Sequence, residues 1–283
     1  MAEAEPAKPD ADIPMAESSP EVHCDVDWTQ YRKAEEECIE HDADVRALLA
    51  RHRIDQHCAE WHAMRRCMLT ASNAGSVMGL CKYTSRNQMF RRKTGQLKNE
   101  IMSTMATDHG TKTEDPAREW VCKVTGLKLL RGADGKGLDV GLLQHPVHKW
   151  LGASPDGVFS CGLLLEIKCP LSRAIRHDVP PEYYAQMQVQ MEVANLNGCV
   201  FAQYKPASVF QRGVLDILLV PRNREWFAYN FNLYFNPFWK EVVDHYAKQG
   251  KDAAHLFIKD LDTFDQNAQP SAKRRKQDDQ SVV

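Results

Sequence analysis

The chain has 283 residues, 43% hydrophobic and 26% charged, with a formal net charge of −2. That length supports one large domain or two small ones with a real core, and the near-neutral balance carries no bulk sign of a nucleic-acid partner. No window approaches ~18 uninterrupted apolar residues, which excludes a membrane span, and no basic segment followed by an apolar stretch opens the chain, so a secretory leader is not expected.

The charge is unevenly spread. Residues 1–23 hold six acids and one base in an Ala/Pro/Ser-rich context, which predicts a disordered acidic arm. Residues 263–283 read as a disordered basic tail around Lys273-Arg274-Arg275-Lys276. Residues 24–262 between them form one expected domain of near-neutral charge. Within it, the run from Lys82 to Lys98 has six bases and no acid. That run reads either as a solvated helix face or as a phosphate-tracking patch.

In chain order, residues 28–60 predict one or two amphipathic helices. Thr70 or Ser72 would cap a short helix running to Met78, with Gly79 as its stop. Asn87–Thr94 predicts a helix ended by Gly95, and Thr104–Thr125 a longer one ended by Gly126. From Leu127 short apolar runs are broken by Gly and Pro. Leu127–Leu130, Gly141–Gln144, Gly157–Phe159 and Leu163–Lys168 predict strands. Pro180-Pro181 opens a helix to about Leu196. Cys199–Tyr204 and Val214–Val220 are further strands, and Pro221 opens a long aromatic-rich helix to about Lys248. The order implies an α/β domain with a central mixed β-sheet flanked by helices.

The nine cysteines include no C-x-x-C pair, which argues against a zinc ribbon or iron–sulfur cluster. The odd count suits reduced thiols in a nuclear or cytoplasmic setting rather than a secreted one.

The most informative stretch is Ser154-Pro155-Asp156-Gly157 followed by Leu165-Glu166-Ile167-Lys168-Cys169-Pro170. Asp156 sits at a turn. Glu166 and Lys168 share one face of an apolar strand, while Leu165 and Ile167 take the other. A charged pair in so apolar a strand is costly without a partner or metal. Two carboxylates suit Mg²⁺, which keeps several waters, and the bound metal would activate a water and polarise a phosphoryl oxygen. Lys168 would position or deprotonate that water and balance charge. Taken singly, each element has a bland reading: a common Pro-Asp-Gly turn and a solvated salt-bridging strand face.

Pro155-Asp156 with Glu166-Ile167-Lys168 resembles the PD-(D/E)xK nuclease signature. The wider pattern adds Arg65 with Leu69-Thr70-Ala71-Ser72, then Gly110 to Arg118, then Tyr183-Tyr184-Ala185-Gln186-Met187-Gln188. Together these blocks, from about residue 61 to 246, resemble the lambda exonuclease/YqaJ viral recombinase family. The resemblance implies a PD-(D/E)xK restriction-endonuclease-like core. It implies a Mg²⁺-dependent 5′→3′ exonuclease on linear double-stranded DNA, with Mn²⁺ able to substitute, acting in recombination or replication. It also implies ring-shaped homotrimers in the best-known branch and a single-strand annealing protein as partner.

Residue by residue, the resemblance makes Asp156 and Glu166 metal ligands together with the Ile167 carbonyl. Lys168 becomes the catalytic lysine, Glu114 an acid reaching the metal or its waters, and Gln186 the glutamine beside the site. Arg65, Ser72 and Ser154 become a pocket for the 5′-phosphate of the terminal nucleotide. The bland alternatives are a helix-start acid for Glu114, a surface arginine for Arg65, a cap for Ser72 and a solvated stripe for Gln186 with Gln190. Met187 and Met191 read as core, and His145 and His109 as packing or loop residues. A structure-specific endonuclease on the same core and a catalytically inactive DNA-binding relative are the competing functions. Lys273–Lys276 resembles a short nuclear-import signal.

Overall fold

The structure, a computed structural model, describes residues 19–37, 43–51, 54–56, 58–97, 105–131, 140–209 and 211–249. Most of the acidic arm, the whole basic tail and the expected domain end at 262 lie outside the described residues.

The elements in chain order are β1 (Glu21–His23), α1 (Thr29–Glu37), α2 (Ala43–Leu49), α3 (Ala59–Arg66) and β2 (Leu69–Thr70). After a 3₁₀ turn at Ala71–Asn73 come α4 (Ala74–Val77), α5 (Arg86–Lys93), α6 (Met105–Thr125), β3 (Leu143–Gln144) and β4 (Leu151–Ala153). Then follow β5 (Gly157–Val158), β6 (Leu163–Lys168), α7 (Pro181–Ala194), β7 (Gly198–Lys205), β8 (Val214–Pro221), α8 (Arg224–Asn230) and α9 (Asn236–Lys248). No described helix is long and apolar enough to cross a membrane.

The main sheet has the order β1-β8-β7-β6-β5. Strand β6 runs parallel to β7, with Glu166 opposite Phe201, while β5 is antiparallel to β6 and β8 is antiparallel to β7. One sheet face buries Leu163, Leu165, Ile167, Val200, Ala202 and Ile217 against α6 and Trp28. The other buries Leu164, Cys199 and Phe201 against α7 and the C-terminal helices. The mixed sheet between helical layers is the expected PD-(D/E)xK architecture. A smaller sheet, β2-β4-β3, lies beside it.

The structure departs from expectation in three places. The acidic arm does not extend to residue 23: Glu21–His23 pairs in parallel with β8, Glu21 opposite Val214, and so caps an otherwise open sheet edge. The long C-terminal helix does not begin at Pro221, which ends β8. Asn223 caps α8 by accepting from the Trp226 amide, and a π-helical turn over Phe231–Phe235 leads into α9. Pro237, without an N–H to continue the ladder, lies just past that turn. The basic run is also largely committed. Arg86 pairs with Glu241 at 2.7 Å, Arg92 donates to Thr84 and Lys93 is buried, which leaves Lys82 and Arg91 exposed, while Lys98 lies outside the described residues.

Two glycines permit close approaches that a side chain would block. A Cβ at Gly75 would stand 2.8 Å from Glu182 Cβ, so Gly75 lets α4 rest on α7. A Cβ at Gly152 would meet the Met68 methyl at 2.6 Å and the Leu143 carbonyl at 2.9 Å, so Gly152 lets β4 fit into the small sheet.

Candidate active site

Strand alternation places the charged pair as the sequence predicts. Leu165 and Ile167 enter the α6 layer, which leaves Glu166 and Lys168 facing α7. Glu166 is 1% exposed and surrounded by donors. Its Oε1 accepts from Lys168 Nζ and, at 2.7 Å, from Gln186 Nε2. Its Oε2 accepts from Gln190 Nε2 at 2.6 Å. The two glutamines stand one helical turn apart on α7 and grip the carboxylate from above.

Asp156 reaches the same point from the turn before β5. Its amide donates to the Leu165 carbonyl at 3.0 Å, and its Oδ2 accepts from the Ile167 amide at 2.7 Å. Asp156 lines the cleft, and its second carboxylate oxygen has no hydrogen-bond donor among the described residues. Burial, followed by the Glu166 and Glu114 carboxylates, pushes the Asp156 carboxyl well above its usual range. Burial alone would pull the Lys168 ammonium down, but Glu166 and Asp156 outweigh it and hold the group above the ordinary lysine range. That balance favours the ammonium form of Lys168, which donates to Glu166 Oε1.

Glu114 does not line the cleft. It forms an ion pair with Arg118 on α6, while Arg118 Nε donates to the Asp156 carbonyl at 3.1 Å. Burial raises the Glu114 carboxyl, with Arg118 opposing and Glu166 adding to the shift. Its charge acts on the Asp156 and Glu166 carboxylates of the cleft, while its partner Arg118 braces Asp156.

The second half of the cleft comes from the small sheet. Strands β2 and β4 are parallel, with Thr70 opposite Gly152. Ser72 and Ser154 each follow two residues later, so register delivers both hydroxyls to the same strand end, and Asp156 comes next along the chain. Thr70 takes the cap position, its amide donating to Asn73 Oδ1 at 3.3 Å, which frees Ser72 from capping. Arg65 donates to Ser72 Oγ at 2.9 Å, and its guanidinium lies 4.2 Å from the centroid of the Trp61 ring. Trp61 Nε1 donates to Ser154 Oγ at 3.1 Å. Burial lowers the Arg65 guanidinium to about 10, which keeps it charged at neutral pH.

The cleft of about 170 Å³ is lined by Arg65, Ser72 and Ser154 on one side and by Asp156, Glu166, Lys168 and Gln186 on the other. With water occupying ~30 Å³, this is room for a phosphate-sized group with a few waters, not for a duplex. Trp61, Gln56 and Gln190 also line it, and sequence reasoning assigned none of them to the site. Gln190 carried a usable signal, the four-residue spacing from Gln186. Trp61 carried one as well, one turn before Arg65. Gln56 carried none; its Nε2 donates to the Pro155 carbonyl at 3.3 Å.

Among the described residues no group of three or more His, Cys, Asp or Glu side chains could hold a metal. The two cleft carboxylates nevertheless suit a hard cation that keeps its waters. They stand together beside one ammonium, and burial followed by the neighbouring carboxylates raises the Asp156 carboxyl, a cost that a bound cation would offset.

A profile of the YqaJ-like viral recombinase domain matches residues 60–197. An alkaline exonuclease (LHK-Exo) from Laribacter hongkongensis is 27% identical, with a TM-score of 0.56 over 70% of this chain and 100% of that one. The same protein in complex with dAMP aligns at 25% identity and a TM-score of 0.53, over 68% of this chain and 98% of that one. Uncharacterized protein R354 of Acanthamoeba polyphaga mimivirus is 41% identical over 85 residues, which span 24% of this chain and 16% of that protein. The matched region holds every residue of the cleft except Gln56, so the whole catalytic half of the cleft falls within the part of the chain that is similar to the YqaJ-like viral recombinase domain and to the alkaline exonuclease.

Proposed function

We propose that the chain is a deoxyribonuclease that degrades linear double-stranded DNA from 5′-phosphorylated ends in the 5′→3′ direction, with Mg²⁺ as cofactor and Mn²⁺ able to replace it. The observation that carries this reading is one cleft with two chemistries: Arg65, Ser72 and Ser154 on one wall, and Asp156, Glu166 and Lys168 on the other. The exonuclease neighbours and the dAMP bound by one of them support it.

Asp156 and Glu166, with the Ile167 carbonyl, would hold the metal. The metal supplies an activated water and Lewis-acid polarisation of the scissile phosphate. The residues do the rest. The planar Arg65 fork and two hydroxyls hold the terminal phosphate. Gln186 and Gln190 fix the Glu166 carboxylate, and the Ile167 amide fixes Asp156. The Lys168 ammonium donates toward charge that develops on the attacked phosphate. A single-strand annealing protein as partner, a trimeric ring, a role in viral recombination and nuclear import through Lys273–Lys276 complete the proposal.

End-labelled linear duplex and closed-circular DNA, each with Mg²⁺ or chelator, test it. The expected result is Mg²⁺-dependent loss of the linear form from its 5′-phosphorylated end, with the circle intact. Cleavage of the circle would favour an endonuclease. Wild-type digestion no faster than that of Lys168→Ala would remove the catalytic claim.

A further inference from the structure

Lys93 is the one member of the basic run that the fold takes inside, at 8% exposure. Its Nζ donates to the Arg65 carbonyl at 2.7 Å and to the Met68 carbonyl at 2.6 Å. The first of these belongs to the last turn of α3, where carbonyls lack helical partners. The second immediately precedes β2. One ammonium thus ties the helix that carries Arg65 to the strand that delivers Ser72. The Lys93 carbonyl is held in turn by the Tyr246 hydroxyl at 3.1 Å, from α9.

A neutral donor would suffice for a strut, yet the chain places a cation here. Among the described residues no carboxylate forms an ion pair with Lys93 or with Arg65. Lys93 grips the backbone of the residue whose guanidinium faces the cleft, and no described acid is paired with either of the two cations. Such a pair is unfavourable by itself and favourable once an anion arrives. We propose that Lys93 is a positioning residue and hidden second cation of the 5′-phosphate pocket, acting from behind Arg65 without touching the phosphate. This rests on the end-pocket reading above.

The electrostatics agree with that geometry. Burial, then the Arg65 charge, lowers the Lys93 ammonium to about 7, with Cys67 opposing. The charged or titratable groups that act on it are Arg65 of α3 and Cys67 at its end, with the Tyr246 hydroxyl of α9 on its carbonyl. A phosphate on Arg65 would stabilise the Lys93 charge and raise that value.

The test is binding of blunt duplexes with 5′-phosphate or 5′-hydroxyl ends, followed by fluorescence anisotropy in chelator, with thermal melting as the folding control. Lys93→Gln keeps donors for both carbonyls and removes the charge. It should lower the affinity ratio between the two ends about tenfold, the scale of losing one close charge in partly screened surroundings. Unchanged preference in Lys93→Gln would overturn the proposal and leave Lys93 a strut. Equal binding of both ends by the wild-type protein would overturn the end-pocket reading itself, and this inference with it. A second measurement needs no variant. In protein with ¹³C-labelled lysine, phosphorylated duplex should raise the Lys93 titration midpoint, and hydroxyl-ended duplex should leave it in place. The same midpoint with both would likewise overturn the proposal.

Discussion

Gln190 donates to Glu166 Oε2 at 2.6 Å from a position one helical turn beyond Gln186, which donates to Oε1 at 2.7 Å. Each oxygen of a carboxylate that is 1% exposed is therefore oriented by its own amide. A buried carboxyl needs such donors, and in the proposed metal site they would hold it in one orientation toward the cation.

Removing the Gln190 donor should weaken cation binding without dismantling the fold. Gln190→Met retains bulk and flexibility but leaves Oε2 without its amide. By the usual cost of lost outer-shell support, the Mg²⁺ concentration for half-maximal digestion should rise about 10–100-fold. Digestion of labelled linear duplex across a Mg²⁺ series, beside circular dichroism of the variant, provides the measurement. An unchanged Mg²⁺ dependence would show that Gln186 and Lys168 alone orient Glu166.

The carboxylates pose a second question, of stability against function. Asp156 is held above its usual carboxyl range by burial and by Glu166 and Glu114. A raised acid binds more protons in the native state than in the unfolded one, so stability falls as pH rises above the unfolded value of about 3.8. At neutral pH the buried Asp156 therefore costs stability. Asp156→Asn can still accept from the Ile167 amide and should melt higher in chelator, by roughly 0.5–2 kcal/mol. It should also abolish digestion, and added Mg²⁺ should raise the melting temperature of wild type only. A variant that melts lower than wild type in chelator contradicts this reading of the site.

What the sequence made legible follows from physical range. Period-two alternation in a six-residue strand needs no distant partner, so Glu166 and Lys168 were assigned to one face and lie there. Glycines at positive φ close their elements where expected, Gly79, Gly95 and Gly126 among them. Strands β2 and β4, of two and three residues, have no periodicity to read and exist through pairing with each other. That pairing aligns Ser72 with Ser154, so the shape of this wall of the cleft was invisible in the sequence although both serines stood out in it. Glu114, expected to reach the metal or its waters, pairs with Arg118 on the same helix turn and is electrostatically coupled to Asp156 and Glu166; the ion pair is a contact that composition could not foresee.

His145 gives a pH-dependent prediction remote from the cleft. Its Nδ1 accepts from the Val147 amide at 3.1 Å and the His148 amide at 2.9 Å, which requires the ring nitrogen to stay unprotonated. Burial, then the neighbouring His148, lowers it to about 4. Between about 4 and the unfolded value near 6.5 the unfolded chain binds a proton that the native chain refuses. Stability should therefore fall as pH drops through that window, with a slope of at most ~1.4 kcal/mol per pH unit from this group. His145→Gln retains an acceptor and cannot titrate. Urea unfolding at several values from pH 7 to pH 4 should show a shallower decline for the variant. Parallel curves would remove His145 as the cause.

The last prediction concerns Trp61, which serves the pocket with two different surfaces. Its face lies beneath the Arg65 guanidinium, 4.2 Å from centroid to carbon, while its edge donates Nε1–H to Ser154 Oγ at 3.1 Å. Trp61→Phe keeps an aromatic platform for Arg65 and removes only the edge donor. A net hydrogen bond is worth about 1 kcal/mol, so KM for 5′-phosphorylated duplex should rise about five-fold with kcat little changed. Trp61→Ala removes the platform as well, and the cation–π contact adds ~0.5–2 kcal/mol to the loss. Its KM should rise further, toward that of Arg65→Ala. Hydroxyl-ended duplex should respond little to either change. If both variants lose activity equally on the two ends, and through kcat, Trp61 supports the fold of the cleft rather than the grip on the terminal phosphate.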